Sequence, residues 1–536
     1  MTDCERRLRM AKSEEYSSFW VSFVVALVAA ATGRAEIACW LTRIDDGDAK
    51  RAALASASGP SRYNEHQDEG YTLLHKGRVA EDAKAPAGTV ATITVDRTQT
   101  FQTMIGYGAA MTDSSAWVLM RLKERNPALY AFTLQKLFSS TDGAGFSLLR
   151  LPMGASDYTA TSNFYTYCDE PSPDLRGFSI AHDREYVIPA LLEARSVSPD
   201  LRILASPWSA PAWMKVNGSL EGLSAAQKAA GAANRLKPEC VGLYADYFVK
   251  FIEAYQAAGL PIWGVTLQNE PQFDAAHYPC MRMDEADQIA LVRSLGPKLA
   301  AKKLTAKIFV HDHNWVLHPD DRKVIGNDAK MDPVASVTEI FSDPEAGRYI
   351  AGSAWHGYSG GVRDMQRVYA TLHAAFPDKQ LLFTELSGWG KNRGAWFGDI
   401  AWGMDRMWMG GPQSGCQSAL LWNLVLDHRF GPTLRKDSVA TAMAAVNTDR
   451  FDEVRFEREF YAMAQLSLAA RPGAKHVAAS LASESELDRV AFVHPDGRTA
   501  LVVFNKNKAS RDICVTDGRA RFTYELSGRS IVTFVW

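Results

Sequence analysis

Short apolar segments recur along the middle of the chain, and each is followed by a longer stretch with helical features. Strands of a parallel sheet are buried on both faces and form such runs, whereas an amphipathic helix spaces its apolar positions by about 3.6 residues. The eight segments are residues 104–106, 148–151, 203–205, 262–267, 308–310, 353–355, 381–383 and 419–421. Between the third and fourth, an apolar face with helical spacing runs from Val241 to Tyr255 and is ended by Gly259 and Pro261. Eight strand-then-helix units predict a closed (β/α)8 barrel, also called a TIM barrel, within the α/β class.

An open, doubly wound sheet shows the same alternation of strands and helices and is the alternative to a barrel. No Gly-x-Gly-x-x-Gly turn follows any of the eight segments, although such a turn marks the dinucleotide-binding members of that class. The closed barrel is therefore the favoured interpretation.

The pattern differs at both ends of the chain. Residues 36–100 close with a period-2 alternation through Ala91, Ile93 and Val95, which is typical of β-strands. After about residue 466, short strands separated by turns replace the helical rhythm. We therefore predict a leader at 1–35, N-terminal strands of a β-sandwich at 36–100, a catalytic barrel at 101–465 and the C-terminal part of the β-sandwich at 466–536.

The first 35 residues resemble a secretory signal peptide. Four basic residues between positions 6 and 12 precede an apolar run at 19–32, which ends near small residues. The run is shorter than the roughly 20 residues that span a bilayer. Glu14 and Glu15 interrupt the basic region, so a start at Met10 or a membrane-anchored leader is an alternative. We expect the protein to be secreted or otherwise exported, to an extracellular, periplasmic or lysosome-like compartment.

Composition excludes some classes of function. The chain has 536 residues, a formal net charge of −2 and no long basic run, so nothing in it indicates a nucleic-acid partner. Seven cysteines are widely spaced and form no Cys-x-x-Cys pair that would indicate a zinc site. Export would permit disulfides, but the spacing specifies no pairing, and we interpret most of the cysteines as buried thiols.

The fourth apolar segment leads directly into Gln268-Asn269-Glu270-Pro271. Because proline cannot continue a strand ladder, the strand should stop at Glu270 and place this carboxylate at its carboxyl end. Catalytic groups of (β/α)8 barrels lie at those ends. The alternative is a glutamate that only caps the next helix or faces water.

Polar and aromatic side chains follow the other segments as well. They are Asp113, Arg150, Asp157, Trp208, Asp312, His313, Asn314, His356, Tyr358, Glu385, Trp422 and Asn423. Indole faces stack on sugar rings, and short polar groups bind hydroxyls, so this set fits a carbohydrate pocket. Any one of these residues on its own is more typical of a polar barrel rim.

Cleavage of a glycosidic bond needs a proton donor and a second carboxylate on the other side of the sugar. Glu270 and Glu385 follow the fourth and seventh segments, whose ends face each other across a barrel mouth. Asn269 is placed to bind the sugar 2-hydroxyl. We expect Glu270 to be protonated and Glu385 ionised, because the charge of Glu385 would raise the pKa of Glu270.

The sequence resembles the glucosylceramidase-like glycoside hydrolases of family 30, over nearly the whole chain after the leader. The motifs that carry the resemblance are Gly-Tyr-Gly-Ala-Ala-Met-Thr-Asp at 106–113, Arg-Leu-Pro-Met-Gly at 150–154, Tyr-Thr-Tyr at 165–167, Ser-Pro-Trp-Ser-Ala-Pro at 206–211, Gln-Asn-Glu-Pro at 268–271 and Phe-Thr-Glu at 383–385. The resemblance implies a barrel with an appended β-sandwich, retention of configuration, and no metal ion or other cofactor.

The resemblance also implies roles for individual residues. Glu270 would be the acid/base, Glu385 the nucleophile and Asn269 the partner of the 2-hydroxyl. Asp113 and Trp208 would hold the distal hydroxyls of the first sugar. His356, Tyr358 and Trp422 match pocket-wall positions of the family.

The resemblance leaves the substrate open. A terminal β-glucoside such as glucosylceramide, with contact to a lipid surface, is the leading expectation. The chain departs from the glucosylceramidases at 431–437, where it has Gly-Pro-Thr-Leu and then Asp437, and at Cys168 in place of a small alanine. The stretch 312–315 resembles microbial members that cut β-1,6-glucan. An endo-β-1,6-glucanase, a β-xylosidase and an inactive sugar-binding relative are the alternatives.

Overall fold

We describe the protein from a computed structural model. It describes residues 37–44, 75–79, 81, 90–319, 321–322, 332–388, 396–435, 440–482 and 487–536. The predicted leader at 1–35 and Asp437 lie outside these ranges, so export stays a prediction. Among the described residues, no helix is both long enough and apolar enough to cross a membrane.

Eight parallel strands form the barrel that the sequence predicts. In chain order they are β4 (Gly106–Ala109), β5 (Leu148–Pro152), β6 (Arg202–Ser206), β7 (Gly264–Thr266), β8 (Lys307–Asn314), β9 (Ile350–His356), β10 (Gln380–Glu385) and β11 (Ser418–Leu421). Neighbours in the chain are neighbours in the sheet, and β11 pairs with β4. Backbone hydrogen bonds from Ser147 to Tyr107 (3.0 Å) and from Met111 to Arg150 (2.8 Å) join β4 to β5 and close the ring.

The predicted fourth strand ends earlier than expected. Strand β7 stops at Thr266, four residues before Glu270, so Pro271 is not what ends it. Glu270 instead has a φ of +48°, a left-handed conformation that extended strand residues do not adopt. A turn after the strand, rather than the strand itself, therefore directs this carboxylate.

Helices surround the barrel. They are Asp113–Arg125, Pro127–Phe138, Ala181–Glu185, Val187–Val197, Ala225–Ala229, Val241–Ala257, Glu285–Ala301, Pro333–Ser342, Val362–Ala375, Trp396–Gly403, Gly410–Gln413 and Arg458–Ala469. The helix Val241–Ala257 confirms the predicted amphipathic segment. It buries Tyr244, Phe248 and Ile252 completely or nearly so, and each such side chain stabilises the fold by roughly 1.5–3 kcal/mol.

The remaining strands form the appended β-domain and a small sheet beside β11. The β-domain contains β1 (Ile37–Arg43), β2 (His75–Val79), β3 (Ala91–Thr103), β15 (Lys475–Leu481), β16 (Leu487–Val493), β17 (Thr499–Asn505), β18 (Arg511–Thr516), β19 (Arg521–Leu526) and β20 (Ser530–Val535). The small sheet contains β12 (Val425–Asp427), β13 (Ala444–Val446) and β14 (Val454–Phe456). Strands from both ends of the chain alternate in the nine-stranded sheet, as the predicted fold of a barrel with a β-sandwich requires.

The helix Arg458–Ala469 is buried along its whole length between the two domains. Gln465 on this helix donates to Thr42 Oγ1 (2.8 Å), and its backbone carbonyl accepts from Thr533 Oγ1 (3.0 Å). Thr42 belongs to β1 and Thr533 to β20. The helix therefore fixes the β-domain against the barrel.

The inside of the barrel changes from apolar to polar toward the carboxyl ends of the strands. An apolar layer includes Leu148, Leu204, Phe309, Leu382 and Leu420. Two residues further along three of these strands, the inward positions are Arg150, Ser206 and Thr384, all with essentially no exposure. Alternation along a strand returns to the same face every second residue, so these polar groups point into the barrel.

Candidate active site

Asp312, at the end of β8, is the centre of a buried hydrogen-bond network. Its Oδ2 atom accepts from Arg150 (2.7 Å) and Thr266 (2.7 Å), and its Oδ1 atom accepts from Thr384 (2.8 Å). A buried carboxylate is costly unless it is paired and fully hydrogen-bonded, and these donors meet that need. Burial raises the pKa of Asp312, but the Arg150 guanidinium and His356 more than reverse this effect and hold the pKa far below its usual range.

Arg150 connects this network to Glu385. The guanidinium, which has no exposed surface, donates to Glu385 Oε2 and to Asn269 Oδ1, the latter over 2.7 Å. Tyr358 donates to the other oxygen of Glu385 over 2.8 Å. Both oxygens of Glu385 thus accept from groups that stabilise negative charge and fix the orientation of the carboxylate.

Glu270 lies beside two histidines. Nδ1 of His356 is 3.3 Å from Glu270 Oε1, and Nδ1 of His313 is 3.8 Å from the same oxygen. The same His356 nitrogen is 4.0 Å from Glu385 Oε1. One imidazole therefore contacts both of the carboxylates predicted to be catalytic.

The protonation expected for Glu270 is wrong for the ligand-free protein. Burial raises the pKa of Glu270, but the hydrogen bond from His356 and nearby positive charge outweigh it, so that the pKa lies below its ordinary value. Burial lowers the pKa of His356, yet the Glu385 charge and the bonds to Asp312 and Glu270 raise it to about 9. The proton that was expected on Glu270 lies on His356 at neutral pH.

A cavity of about 330 Å³ opens above these groups. Six of the eight predicted site residues line it: Trp208, Asn269, Glu270, Tyr358, Glu385 and Trp422. His356 is completely buried and reaches the site through its contact with Glu270. The rings of Trp208 and Trp422 stack with their centroids 4.9 Å apart, and the Arg150 guanidinium carbon lies 4.8 Å from the Trp208 centroid. This indole pair gives the cavity an apolar wall.

Asp113 is the predicted site residue that the structure does not bring to this cavity. It begins the helix Asp113–Arg125, and its Oδ1 accepts from the backbone N–H of Ala160 over 2.6 Å. Its Oδ2 lies 2.6 Å from His182 Nε2 and accepts from Tyr186 over 2.8 Å and from Tyr165 over 3.1 Å. The Asp113 carboxylate is therefore hydrogen-bonded by groups of the protein itself.

Asp157 follows the second predicted strand and lines the cavity, although it was not among the predicted site residues. It lines the cavity and is buried. Burial and the neighbouring Glu385 charge raise the pKa of Asp157 to about 7. In the sequence, the only indication that Asp157 belongs to the site is its position seven residues after Arg150. The path of the loop, which places the carboxyl in the cavity, is visible only in the structure.

A second cavity, of about 800 Å³, adjoins the first. Arg435 lines both, and its guanidinium carbon lies 5.3 Å from the centroid of the Tyr278 ring in the first cavity. Six of the ten residues around the second cavity are polar or charged: Ser162, Asn163, Ser219, Glu221, His277 and Arg435. Arg435 belongs to the loop that departs from the glucosylceramidase pattern.

Four of the cysteines agree with the prediction that most are buried thiols. Cys168, Cys240, Cys280 and Cys416 are buried and form no disulfide within the described part of the chain. Burial raises the pKa of Cys416 and of Cys280, the latter to about 11, so these thiols are poor nucleophiles at neutral pH. The chemistry of the site therefore rests on its carboxylates and imidazoles.

Comparisons with known proteins agree with this architecture. The glycosyl hydrolase family 30 TIM-barrel domain matches residues 104–468, and the family 30 beta sandwich domain matches residues 473–534. Endo-1,6-beta-D-glucanase neg1 of Aspergillus fumigatus is 30% identical over 487 residues, which cover 87% of this chain and 91% of that protein. Lysosomal acid glucosylceramidase of Mus musculus is 28% identical over 465 residues, covering 84% of each.

Among solved structures, the endo-beta1,6-glucanase BT3312 superposes with a TM-score of 0.77 at 28% identity, covering 94% of this chain and 99% of that one. The two family models together span the barrel and most of the β-domain. The chain therefore belongs to glycosyl hydrolase family 30, a family of O-glycosyl hydrolases.

Proposed function

We propose that the protein is a retaining β-glucoside hydrolase in which Glu385 is the nucleophile and Glu270 the acid/base. The observation that carries this proposal is the shared contact of both carboxylates with His356 Nδ1, at 3.3 Å and 4.0 Å. Two oxygens at these distances from one nitrogen are at most about 7.3 Å apart, which lies below most of the range of about 6.5–9.5 Å used by inverting enzymes. This bound is compatible with the separation of about 5–5.5 Å at which the second carboxylate attacks directly.

In the first step Glu385 attacks the anomeric carbon while Glu270 protonates the departing oxygen. Arg150 and Tyr358 orient the attacking carboxylate. Glu270 needs a proton for this step, and His356, which holds one in the resting site, is within hydrogen-bonding distance to supply it. In the second step Glu270 removes a proton from water, which then releases the sugar from Glu385.

The groups that bind the sugar are the indole wall and the polar side chains around it. Asn269 is held by Arg150 and is directed toward the cavity, where it can bind the 2-hydroxyl. We assign the distal hydroxyls to Trp208 and Asp157 rather than to Asp113, because Asp157 lines the cavity and Asp113 is bonded elsewhere. A buried carboxyl that binds hydroxyls disfavours sugars that lack them.

The substrate that these features favour is a β-1,6-linked glucan. The first cavity is of a size for one or two sugar residues, and Arg435 connects it to a larger cavity lined by both polar and apolar residues. The polar residues of this lining can bind the hydroxyls of further sugars. The similarity to two endo-1,6-glucanases supports the same choice.

Glucosylceramide is the second candidate, favoured by the 28% identity to the mouse lysosomal acid glucosylceramidase. Incubation with pustulan-type β-1,6-glucan, glucosylceramide and an aryl β-xyloside side by side separates the candidates. We expect gentiobiose and longer oligomers from the glucan as the first products. Glucose released from glucosylceramide, with the glucan unchanged, would reverse the assignment.

Labelling tests the assignment of the nucleophile. A 2-deoxy-2-fluoro-β-glucoside with a good leaving group should accumulate a glycosyl-enzyme on the peptide that contains Glu385. Label on another peptide of an active preparation would contradict the assignment of Glu385.

A further inference from the structure

Three potential metal ligands converge beside the first cavity, which Glu270 and His313 line. Oε1 of Glu270 lies 3.3 Å from His356 Nδ1 and 3.8 Å from His313 Nδ1, and all three atoms lie within 4.8 Å of one another. Ligand atoms of a tetrahedral zinc ion are about 3.3–3.6 Å apart, because each lies about 2.0–2.2 Å from the metal. The two distances from Glu270 Oε1 are close to this range, and a shift of one imidazole by about 1 Å would let one ion contact all three atoms.

The other nitrogen of each imidazole is held by a buried aspartate. His313 Nε2 is 2.9 Å from Asp321 Oδ2, and His356 Nε2 is 3.2 Å from Asp312 Oδ1. Both aspartates have no exposed surface. Histidines that bind metals commonly have their second nitrogen fixed by a carboxylate in this way, which sets the tautomer and directs the free lone pair at the metal.

His313 also has an unsatisfied polar atom. Its side chain is 2% exposed, and its Nδ1 has no hydrogen-bond partner among the residues that the structure describes. Buried polar atoms are rarely left without a partner, and this one points at Glu270. The orphaned nitrogen is an independent indication that the cluster accepts something that the carboxylate network does not provide.

We infer that Glu270, His313 and His356 form a binding site for a divalent transition-metal ion such as Zn²⁺. Two imidazoles and one carboxylate are ligands that zinc prefers, whereas Mg²⁺ and Ca²⁺ prefer sets made of oxygen. Three protein ligands leave the fourth position open to the cavity. Binding displaces the proton from Nδ1 of His356, since a metal ligand must offer a lone pair.

The consequence for activity is inhibition. An ion on Glu270 Oε1 occupies the oxygen that gives and takes the proton, and it enters the space of the departing group. Zn²⁺ is therefore a reversible inhibitor that a chelator removes. This part of the inference rests on the proposed role of Glu270, whereas the binding itself does not.

The test is titration of chelator-treated, metal-free protein with ZnCl₂ in a calorimeter, with MgCl₂ as the comparison ion. We expect one Zn²⁺ per chain, with no heat of binding for Mg²⁺. His313→Ala should weaken Zn²⁺ binding by more than about 10-fold, and Asp321→Asn by about 10–100-fold, because it loosens the hold on His313. Asp321→Asn keeps the experiment informative where His313→Ala does not fold.

His428→Ala is the matched control. Its Nε2 is 3.3 Å from Asp449 and its Nδ1 is also without a partner among the described residues, but it is not part of the cluster. This variant should bind Zn²⁺ as the wild type does. Unchanged affinity in both His313→Ala and Asp321→Asn, or no binding by the wild type, overturns the site. Zn²⁺ binding that requires His313 but does not slow hydrolysis supports the site and instead contradicts the role of Glu270.

Discussion

His356 and Glu270 share one proton across a distance of 3.3 Å between Nδ1 and Oε1. The imidazole has a pKa raised to about 9, and it holds the pKa of the carboxyl below its ordinary value. Strongly interacting groups titrate as a pair. The alkaline limb of the rate profile should therefore report loss of the shared proton, near the value of the histidine rather than that of an isolated glutamate.

Replacement of His356 by Gln tests this relationship. The change removes the group that stores the proton and leaves burial, which raises the pKa of Glu270, opposed only by His313 and Arg150. We expect the alkaline limb of kcat/KM to move to lower pH by at least about one unit, measured with a substrate that has a poor leaving group. His182→Gln, which alters a histidine outside the cavity, should leave the limb in place. An unmoved limb in His356→Gln would show that the proton is held elsewhere.

The alternation of apolar segments was sufficient to predict the barrel. Seven of the eight predicted strands are present at their predicted positions, because a strand buried on both faces favours a continuous apolar sequence. The first, predicted at 104–106, instead forms at Gly106–Ala109, where close packing against β5 selects two glycines over an apolar run. The strand ends then indicated most of the cavity residues, since all parallel strands end at the same rim. The predicted end of β7 was wrong because Pro271 marks a position where a strand cannot continue, whereas the strand itself ends earlier, at Thr266.

The directions of individual side chains could not be predicted in the same way. Glu270, Asp312 and Asn423 have φ values of +48°, +58° and +60°, a left-handed conformation that is uncommon for any residue other than glycine and that the apolar pattern does not predict. Asp113 follows its strand closely, yet a helix start turns its carboxylate toward Ala160. Asp157 lies further along the chain and still reaches the cavity. Distance from a strand end is therefore a weak guide to whether a residue lines the site.

Replacement of Glu270 by Ala separates proton transfer from nucleophilic attack. A substrate with a poor leaving group should lose roughly 10²–10⁴ in kcat, because only such a group needs the proton. An activated aryl glucoside should still form the glycosyl-enzyme, and added azide should accelerate its breakdown. Glu253→Ala, on an outer helix and in contact with Lys302, should change neither rate. Equal losses on both substrates without an azide response would indicate a structural role for Glu270.

The buried Asp157 should make the stability of the protein depend on pH. Its pKa is raised to about 7 in the folded state, against about 3.9 in an unfolded chain. A group whose pKa is higher in the folded state than in the unfolded state stabilises the protein. This contribution is fully present at pH values below the unfolded pKa and is lost as the pH rises through the folded pKa. Between pH 5 and 8 the wild type should therefore lose on the order of 2 kcal/mol more than Asp157→Asn, at about 1.4 kcal/mol per pKa unit. Denaturant unfolding at the two pH values measures the difference, and parallel losses would place the titration in another group.

Gly108 in β4 should tolerate no side chain, because the first barrel strand packs closely against β5. A Cβ atom built on Gly108 would lie 2.0 Å from the backbone oxygen of Leu148, which cannot rotate away. Gly108→Ala should lower the free energy of unfolding by about 1–3 kcal/mol or more, as overpacking of a core does. Gly242→Ala is the matched control, since nothing lies within 4 Å of its Cβ position and alanine favours the helix Val241–Ala257 by up to about 1 kcal/mol. Thermal midpoints of the two variants should separate clearly, with the Gly242 variant at or above the wild type.

Equal midpoints would mean that β4 can move away from β5. The barrel would then be less tightly closed at this edge than the hydrogen bonds from Ser147 and Met111 indicate.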